Sequence, residues 1–259
     1  MKLAIRYMRD FFLNCATFLI YASAIHVSVK NGPEPTATYC IVLDSNITGT
    51  IHYTTNNNED ATYNFVVNGT TIKTDGSCHT VSPGTNISAE YIEIGFFPND
   101  VTPFPPARDL WKLKLDFEAQ DGVAPPSKSF KIANYSLSTV FYSNIFNASI
   151  PSYVYKKTDS ADLDWMAKDT YAFTCSNSEL SLTNSSKISF SGLKVIAFAV
   201  LDQNTFPANQ LFERCPADIR TSDLVPIIVG ACLAGLVIVV LIAYVIGRAR
   251  AKRQGYASV

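Results

Sequence analysis

The sequence predicts an all-β ectodomain, a β-prism or sandwich held by two disulfides, followed by one C-terminal transmembrane helix. Three observations lead to this fold class: strand-like alternation of apolar and polar residues, four cysteines between two apolar segments, and an uncharged apolar run near the C-terminus. The chain has 259 residues, of which 47% are hydrophobic and 17% are charged. Soluble proteins average about 25% charged residues, so part of this chain's apolar surplus is expected in segments outside a soluble core.

Residues 1–24 have the order of a secretory signal peptide. Three basic residues precede an apolar run at 11–22, which ends in the small-residue triplet Ala22-Ser23-Ala24. A basic region, an apolar region and an A-x-A-like site in this order are typical of a cleaved signal. The run is shorter than the roughly 20 residues that cross a bilayer, so cleavage before Ile25 is favoured over an uncleaved anchor.

Residues 25–223 form the predicted ectodomain, and the clearest strand signal lies at 111–118. Apolar residues occupy the odd positions of this segment and charged residues the even ones, which is typical of a half-buried strand. Residues 91–96 repeat the pattern less cleanly, and 193–201 read as a more buried strand. Turn dipeptides such as Asn68-Gly69 and Asp75-Gly76 separate the strands, and no segment has sustained helical periodicity.

The ectodomain cysteines are Cys40, Cys78, Cys175 and Cys215. An even number in an oxidising compartment predicts two disulfides. Three pairings are possible; the sequential one, Cys40 with Cys78 and Cys175 with Cys215, closes two loops of similar length and is therefore favoured. No C-x-x-C spacing occurs, so we predict neither a zinc site nor a thiol redox site.

N-glycosylation acceptors of the form N-x-[ST] are abundant between the signal and the C-terminal apolar run. Because these acceptors all lie in the predicted ectodomain and none lies in the tail, they favour a glycosylated surface on which at least four are used. The six asparagines are Asn46, Asn68, Asn86, Asn134, Asn147 and Asn184.

Residues 224–246 are the predicted transmembrane helix. The segment carries no charge and is long enough to span a bilayer with some tilt. A globular core helix would have a polar face, and this segment has none. Four basic residues follow within 247–259, so the positive-inside rule places this tail in the cytosol and makes the chain a single-pass type I membrane protein.

The cytosolic tail ends in a Tyr-x-x-Φ pattern, in which Φ is a bulky apolar residue. Gly255 and Tyr256 begin the pattern and Val259 ends it. An adaptor subunit binds such a peptide as an added β-strand whose alternate side chains enter pockets. We therefore expect clathrin adaptor complexes to be cytosolic partners. The small-residue spacings in the apolar run, such as Gly230-x-x-x-Ala234, offer a helix surface for self-association.

Catalytic, cofactor and metal-binding motifs are not evident. The sequence has no G-x-S-x-G, H-E-x-x-H, G-x-G-x-x-G or Walker pattern, and its three histidines are dispersed. The formal net charge of -1 provides no basic field for nucleic acid. These observations predict a protein that is not an enzyme and needs no cofactor.

The C-terminal region resembles the lysosome-associated membrane glycoprotein (LAMP) family. The resemblance rests on the run from Val225 to Ala231, on residues 242–248, and on the short basic tail that ends in Gly255-Tyr256-x-x-Val259. Upstream, Ala197-Phe198 precedes Cys215-Pro216-Ala217-Asp218 at a spacing similar to that of the family. The resemblance implies a β-prism lumenal domain bridged by its four cysteines and a sorting role for the tail.

This chain differs from the best-known vertebrate members of the family. Those members have two lumenal domains joined by a Pro/Ser/Thr-rich hinge, whereas this sequence shows one domain and no hinge. The leading hypothesis is a structural glycoprotein of the lysosomal and late-endosomal limiting membrane, which protects membrane integrity and supports lysosome biogenesis or fusion. The alternative is a plasma-membrane adhesion or recognition receptor that is internalised by the same tyrosine motif; a membrane-tethered hydrolase would need a catalytic site that the sequence does not show.

Overall fold

The computed structural model describes residues 24–33, 35–69, 72–84, 86–100, 109–119, 129–158, 165–168 and 170–219, with single helical residues at 229, 233, 234, 237, 241, 244 and 248. The chain divides into two compact units, Met1–Asp218 and Ile219–Val259. The predicted signal peptide up to residue 23 lies outside the described residues. Most of the predicted transmembrane helix and of the cytosolic tail also lies outside them.

The first unit is built from β-strands, which form two sheets. The strands are β1 (Ile25–Asn31), β2 (Thr38–Thr54), β3 (Asp60–Val67), β4 (Lys73–Val81), β5 (Ser88–Phe96), β6 (Trp111–Ala119), β7 (Phe130–Val140), β8 (Ser152–Lys156), β9 (Met166–Ala167), β10 (Ala172–Ser181), β11 (Lys187–Ile196) and β12 (Phe212–Arg214). A 3-10 turn lies at Pro98–Asp100, and the short helix α1 spans Pro216–Ile219.

The first sheet has the strand order β1-β2-β11-β10-β12, with β3 also paired to β2. The long strand β2 organises this sheet: residues 38–45 pair with β1 and residues 47–54 pair with β3. Its other edge pairs antiparallel with β11. The last strand, β12, is parallel to β10, whereas the other pairings of this sheet are antiparallel.

The second sheet has the order β4-β5-β6-β7-β8, with β9 paired to β7. Strand β6 shows why the sequence forms this sheet. Its odd-numbered residues from Trp111 to Ala119 are at most 2% exposed, while the charged residues between them face outward. The alternation predicted for 111–118 is therefore confirmed as a strand with one face in the core.

The core lies between the apolar faces of the two sheets, and an aromatic cluster joins them. The Trp111 ring of β6 lies 5.3 Å from the Phe65 ring of β3 and 5.8 Å from the Phe146 ring in the β7–β8 loop. Phe96 of β5 contacts the same two rings, Trp111 and Phe65. Since Phe65 belongs to the first sheet and Trp111 to the second, burial of these rings holds the sheets face to face.

Two features of the chain differ from the sequence prediction. The strand expected at 193–201 ends at Ile196, because Phe198 takes a left-handed conformation with φ of 54°. The Asp75-Gly76 dipeptide lies inside β4 rather than in a turn. A Cβ on Gly76 would lie 2.5 Å from the Tyr91 carbonyl oxygen and 2.5 Å from a methyl group of Val29, so close packing rather than a turn requires glycine here.

Beyond α1, seven described residues of the second unit are helical, and their side chains are exposed. Five of them are large and apolar: Val229, Leu233, Val237, Leu241 and Tyr244. No helix formed by the described residues has the length and the apolar character that a bilayer crossing demands.

Substitution of Gly76 by alanine tests the close packing of β4 against β1 and β5. We expect Gly76→Ala to lower the free energy of unfolding by about 1–3 kcal/mol, because the new methyl group must displace backbone. Gly69→Ala is the matched control, since a Cβ at Gly69 has no heavy atom within 4 Å. Chemical denaturation of the purified protein measures both; equal stability of the two variants would contradict the packing argument.

Candidate functional site

One disulfide joins the two sheets and the other closes within the first sheet. Cys40 of β2 is bonded to Cys78 of β4, with 5.8 Å between the Cα atoms and a sequence separation of 38. Cys175 of β10 is bonded to Cys215, which directly follows β12, with a Cα distance of 5.2 Å and a separation of 40. This is the sequential pairing, and all four cysteines are buried.

A buried carboxyl group lies beside the inter-sheet disulfide. Glu90 of β5 is 4% exposed and faces the core. The β4–β5 register shifts between Ser77 and Thr80, so the irregular segment that carries Cys78 lies opposite Glu90. One Glu90 carboxyl oxygen accepts a hydrogen bond of 2.7 Å from the Phe198 backbone N–H.

The left-handed conformation of Phe198 directs its N–H toward Glu90 and keeps the following residue against β2. The Ala199 N–H donates to the Cys40 carbonyl oxygen at 3.1 Å. Cys40 is therefore tied to the second sheet by its disulfide and to the loop after β11 by its backbone. We call the group formed by Cys40, Cys78, Glu90, Phe198 and Ala199 the inter-sheet clasp.

Burial changes the protonation of the clasp carboxyl. Removal from water disfavours the charged form and raises the pKa of Glu90 from its ordinary value of 4.5 to about 8, although the Phe198 N–H acts in the opposite direction. The folded protein therefore holds a proton on Glu90 at pH values at which the unfolded chain has lost it. By linkage, stability contributed by this group is greatest below pH 4.5 and declines as the pH rises toward 8.

Four of the six glycosylation acceptors are exposed on the surface of the first unit. Asn86 lies between β4 and β5, Asn134 in β7, Asn147 between β7 and β8, and Asn184 in the β10–β11 turn. Asn46 differs, since it lies in the middle of β2 and its side-chain oxygen is buried with no hydrogen-bond partner among the described residues. Asn68, at the end of β3, is half-buried.

This chain is similar in sequence to several known proteins. A family model described as the transmembrane segment of lysosome-associated membrane glycoprotein 2 matches residues 225–257. Lysosome-associated membrane glycoprotein 1 of Gallus gallus is 36% identical over 118 residues, which are 44% of this chain and 27% of that protein. Human macrosialin is 27% identical over 224 residues, which are 85% of this chain and 52% of that protein.

A solved structure shows the same fold. The membrane-proximal domain of mouse lysosome-associated membrane protein 1 matches with a TM-score of 0.50 and 14% identity, over 76% of this chain and 99% of that domain. These comparisons support the lysosome-associated membrane glycoprotein (LAMP) family for this chain. The chain spans about half or less of the length of the two curated relatives, and its similarity to this family supports a lysosome-associated membrane glycoprotein with a transmembrane segment.

The match to the LAMP transmembrane segment covers nearly all of the predicted transmembrane helix and most of the tail. It includes Gly255 and Tyr256 and stops two positions before Val259. All three residues of the predicted sorting signal lie outside the described residues.

Three side chains that could ligate a metal ion are instead engaged in a disulfide and a hydrogen bond. The sulfurs of Cys175 and Cys215 and a carboxylate oxygen of Asp218 lie within 4.8 Å of one another. Both sulfurs are consumed by the disulfide, so neither is a thiolate ligand. The Asp218 carboxylate accepts a 2.7 Å hydrogen bond from the Ser176 N–H and thereby fastens α1 to β10.

Sequence reasoning missed Glu90, although a signal for it was present. Residues 90, 92, 94 and 96 share one face of β5, and three of them are Ile92, Ile94 and Phe96. A carboxyl group on the same strand face as three core residues must be buried, because successive side chains of a strand alternate between its faces. Its partner could not be read from the sequence, since Phe198 approaches from a separate sheet.

The raised pKa of Glu90 predicts greater stability in acid. In the wild type, we expect the free energy of unfolding to fall by up to about 1.4 kcal/mol per pH unit between pH 5 and 8 from this group. Glu90→Gln keeps an acceptor for the Phe198 N–H and removes the titration, so its curve should be flatter by that amount. Glu179→Gln, at a side chain that is 49% exposed, is the control; identical pH slopes for wild type and Glu90→Gln would refute the assignment.

Loss of each disulfide should have a different consequence. Loop-closure entropy predicts a cost of about 4 kcal/mol for either bond, because the loops are nearly equal in length. We expect Cys40→Ser/Cys78→Ser to cost more than Cys175→Ser/Cys215→Ser, since it also loosens the Glu90–Phe198 contact between the sheets. Denaturant midpoints of the two double variants measure the difference, and equal midpoints would show that the clasp adds nothing beyond chain entropy.

Proposed function

We propose that this chain is a member of the LAMP family and a structural glycoprotein of the lysosomal and late-endosomal limiting membrane. The observation that carries the proposal is the match of residues 225–257 to the LAMP transmembrane segment. In this proposal the disulfide-bonded domain faces the lumen, one helix at 224–246 spans the bilayer and residues 247–259 face the cytosol. The protein protects membrane integrity and supports lysosome biogenesis or fusion.

The features of the first unit suit a hydrolytic, acidic lumen. Two buried disulfides restrict the unfolded chain, and stability limits proteolysis because proteases cleave the open state. Glycans on the exposed acceptors Asn86, Asn134, Asn147 and Asn184 would cover part of β7 and the turns that carry the other three. The buried carboxyl of Glu90 is neutral in acid, so acidification raises the free energy of unfolding that this group contributes.

In this proposal the cytosolic tail carries the lysosomal sorting signal. Tyr256 and Val259 would enter successive pockets of a clathrin adaptor, with Gly255 preceding the tyrosine. The basic residues between the span and this motif hold the tail at the cytosolic surface through anionic lipids. Newly made protein would reach lysosomes from the secretory pathway, in part through the plasma membrane.

Removal of the tyrosine tests the sorting step. We expect Tyr256→Ala to accumulate at the cell surface, because the adaptor loses its aromatic anchor, while Ser258→Ala remains in lysosomes, since it alters a position between the two anchors. Surface biotinylation and overlap with a lysosomal marker measure both variants. Lysosomal residence of Tyr256→Ala would remove the sorting role, and steady-state surface residence of the wild type would favour the adhesion-receptor alternative.

A further inference from the structure

A tyrosine-rich cleft opens between the two sheets, at the ends of β2 and β8. Its volume is about 540 Å³, within the roughly 300–1,000 Å³ range of ligand pockets. Tyr53 of β2 and Tyr153 of β8 are half-buried in its walls, and the more deeply buried Tyr155 and Phe141 complete the aromatic lining. We call this space the tyrosine cleft.

The walls of the tyrosine cleft are held in place by contacts between the sheets. The Tyr155 hydroxyl donates to the His52 carbonyl oxygen at 2.9 Å, which joins β8 to β2. The Tyr53 and Phe141 ring centroids are 5.2 Å apart, and those of Tyr153 and Tyr155 are 4.7 Å apart. A ligand would therefore meet a preformed aromatic surface and would not have to organise it.

One glycosylation acceptor, Asn184, is part of the cleft lining. Asn184 and the following Ser185 both have left-handed φ angles, of 57° and 54°, which form the tight turn between β10 and β11. Asn184 is exposed, and its acceptor motif continues to Ser186. A glycan on Asn184 would thus begin at the edge of an aromatic cleft.

The turn that carries Asn184 is fixed to both walls of the cleft. On one side, the Thr183 N–H donates to the Lys156 carbonyl oxygen of β8 at 2.8 Å. On the other, the His52 N–H of β2 donates to the Ser186 hydroxyl at 3.0 Å. Asn184 lies between these two attachments, so the turn holds its side chain near the strands that present the tyrosine rings.

The chemistry of the lining suits the first sugars of an N-glycan. The C–H groups of a pyranose ring carry partial positive charge and pack on the negative face of an aromatic ring. Hydroxyl and acetamido groups need hydrogen-bond partners at the same time, and Asp60, His52 and Ser149 provide polar groups in the lining. Two of these groups already have protein partners, since the Ser149 hydroxyl donates to the Thr54 carbonyl oxygen and the His52 ring contacts the Thr62 hydroxyl, so a sugar would extend existing hydrogen bonds.

We propose that the tyrosine cleft binds the core N-acetylglucosamine residues of the glycan attached to Asn184. The bound glycan covers the aromatic surface and the exposed side chain of Ile150, and it joins the β10–β11 turn to β8. It is a structural part of the domain as well as a shield. This proposal rests on entry into the secretory pathway, which is part of the proposed function.

A double-mutant cycle on the full-length glycoprotein in detergent tests the proposal. Asn184→Gln removes the glycan, and we expect it to lower Tm by about 2–4 °C, which corresponds to about 1 kcal/mol in a domain of this size. The same substitution should have no effect in a Tyr153→Ala background, because the glycan has then lost its main stacking partner. Tyr153→Phe should preserve the coupling, since it keeps the ring.

Asn86→Gln is the matched control, because it removes a glycan from an exposed turn that does not line the cleft. Ser185→Ala is a second control, since it alters the turn and leaves the acceptor motif intact. Additive effects of Asn184→Gln and Tyr153→Ala would overturn the proposal. Intact-peptide mass spectrometry that finds Asn184 unmodified would overturn it too, and would leave the proposed lysosomal function to be judged by its own localisation test.

A second measurement does not depend on how Tyr153→Ala folds. In the glycoprotein carrying ¹³C-labelled glycans, the core sugar protons at Asn184 should show upfield ring-current shifts that disappear on unfolding. Free N,N′-diacetylchitobiose should bind Asn184→Gln and not the glycosylated wild type. Unshifted sugar resonances, or equal binding of chitobiose to both proteins, would show that the cleft does not hold this glycan.

Discussion

The first unit depends on the connection between its two sheets at the inter-sheet clasp. The sheets share no strand in the described residues, so covalent and polar contacts must supplement the burial of their apolar faces. Cys40–Cys78 provides the covalent link, and Glu90 adds a hydrogen bond to the Phe198 backbone. A charged carboxylate in this position would incur a large desolvation cost, whereas a protonated one does not. The same contact is therefore better suited to an acidic compartment than to a neutral one.

Much of the sheet architecture could be predicted from side-chain alternation. The predictions are wrong where a residue contacts a strand that is distant in the sequence. Strand β6 could be predicted from local sequence because each of its faces has a uniform environment. Gly76 could not be placed in a strand, since its requirement comes from Val29 and Tyr91, which lie on other strands. The end of β11 likewise depends on Phe198, whose left-handed backbone fits a contact with Glu90 rather than a local turn preference.

The sequence identifies glycosylation acceptors but not their surroundings. Asn46 and Asn184 have the same motif, yet Asn46 lies half-buried in a central strand and Asn184 projects from a turn. The tyrosines near Asn184 come from β2 and β8, about one hundred residues apart along the chain, and only the pairing of strands brings them together. Sequence motifs therefore predict which residues can be modified, and topology decides what a modification would contact.

The second disulfide has a mechanical consequence at the end of the first unit. Strand β12 has only three residues and lies at the edge of the first sheet, where few hydrogen bonds would resist its removal. Cys215 follows it directly and is bonded to Cys175 in β10, a strand paired on both sides. If the proposed membrane helix begins at residue 224, tension from the bilayer would first meet the Asp218–Ser176 hydrogen bond and then pass from Cys215 to β10 through a covalent bond. The disulfide thereby keeps β12 in the sheet, although the strand's few hydrogen bonds alone would not.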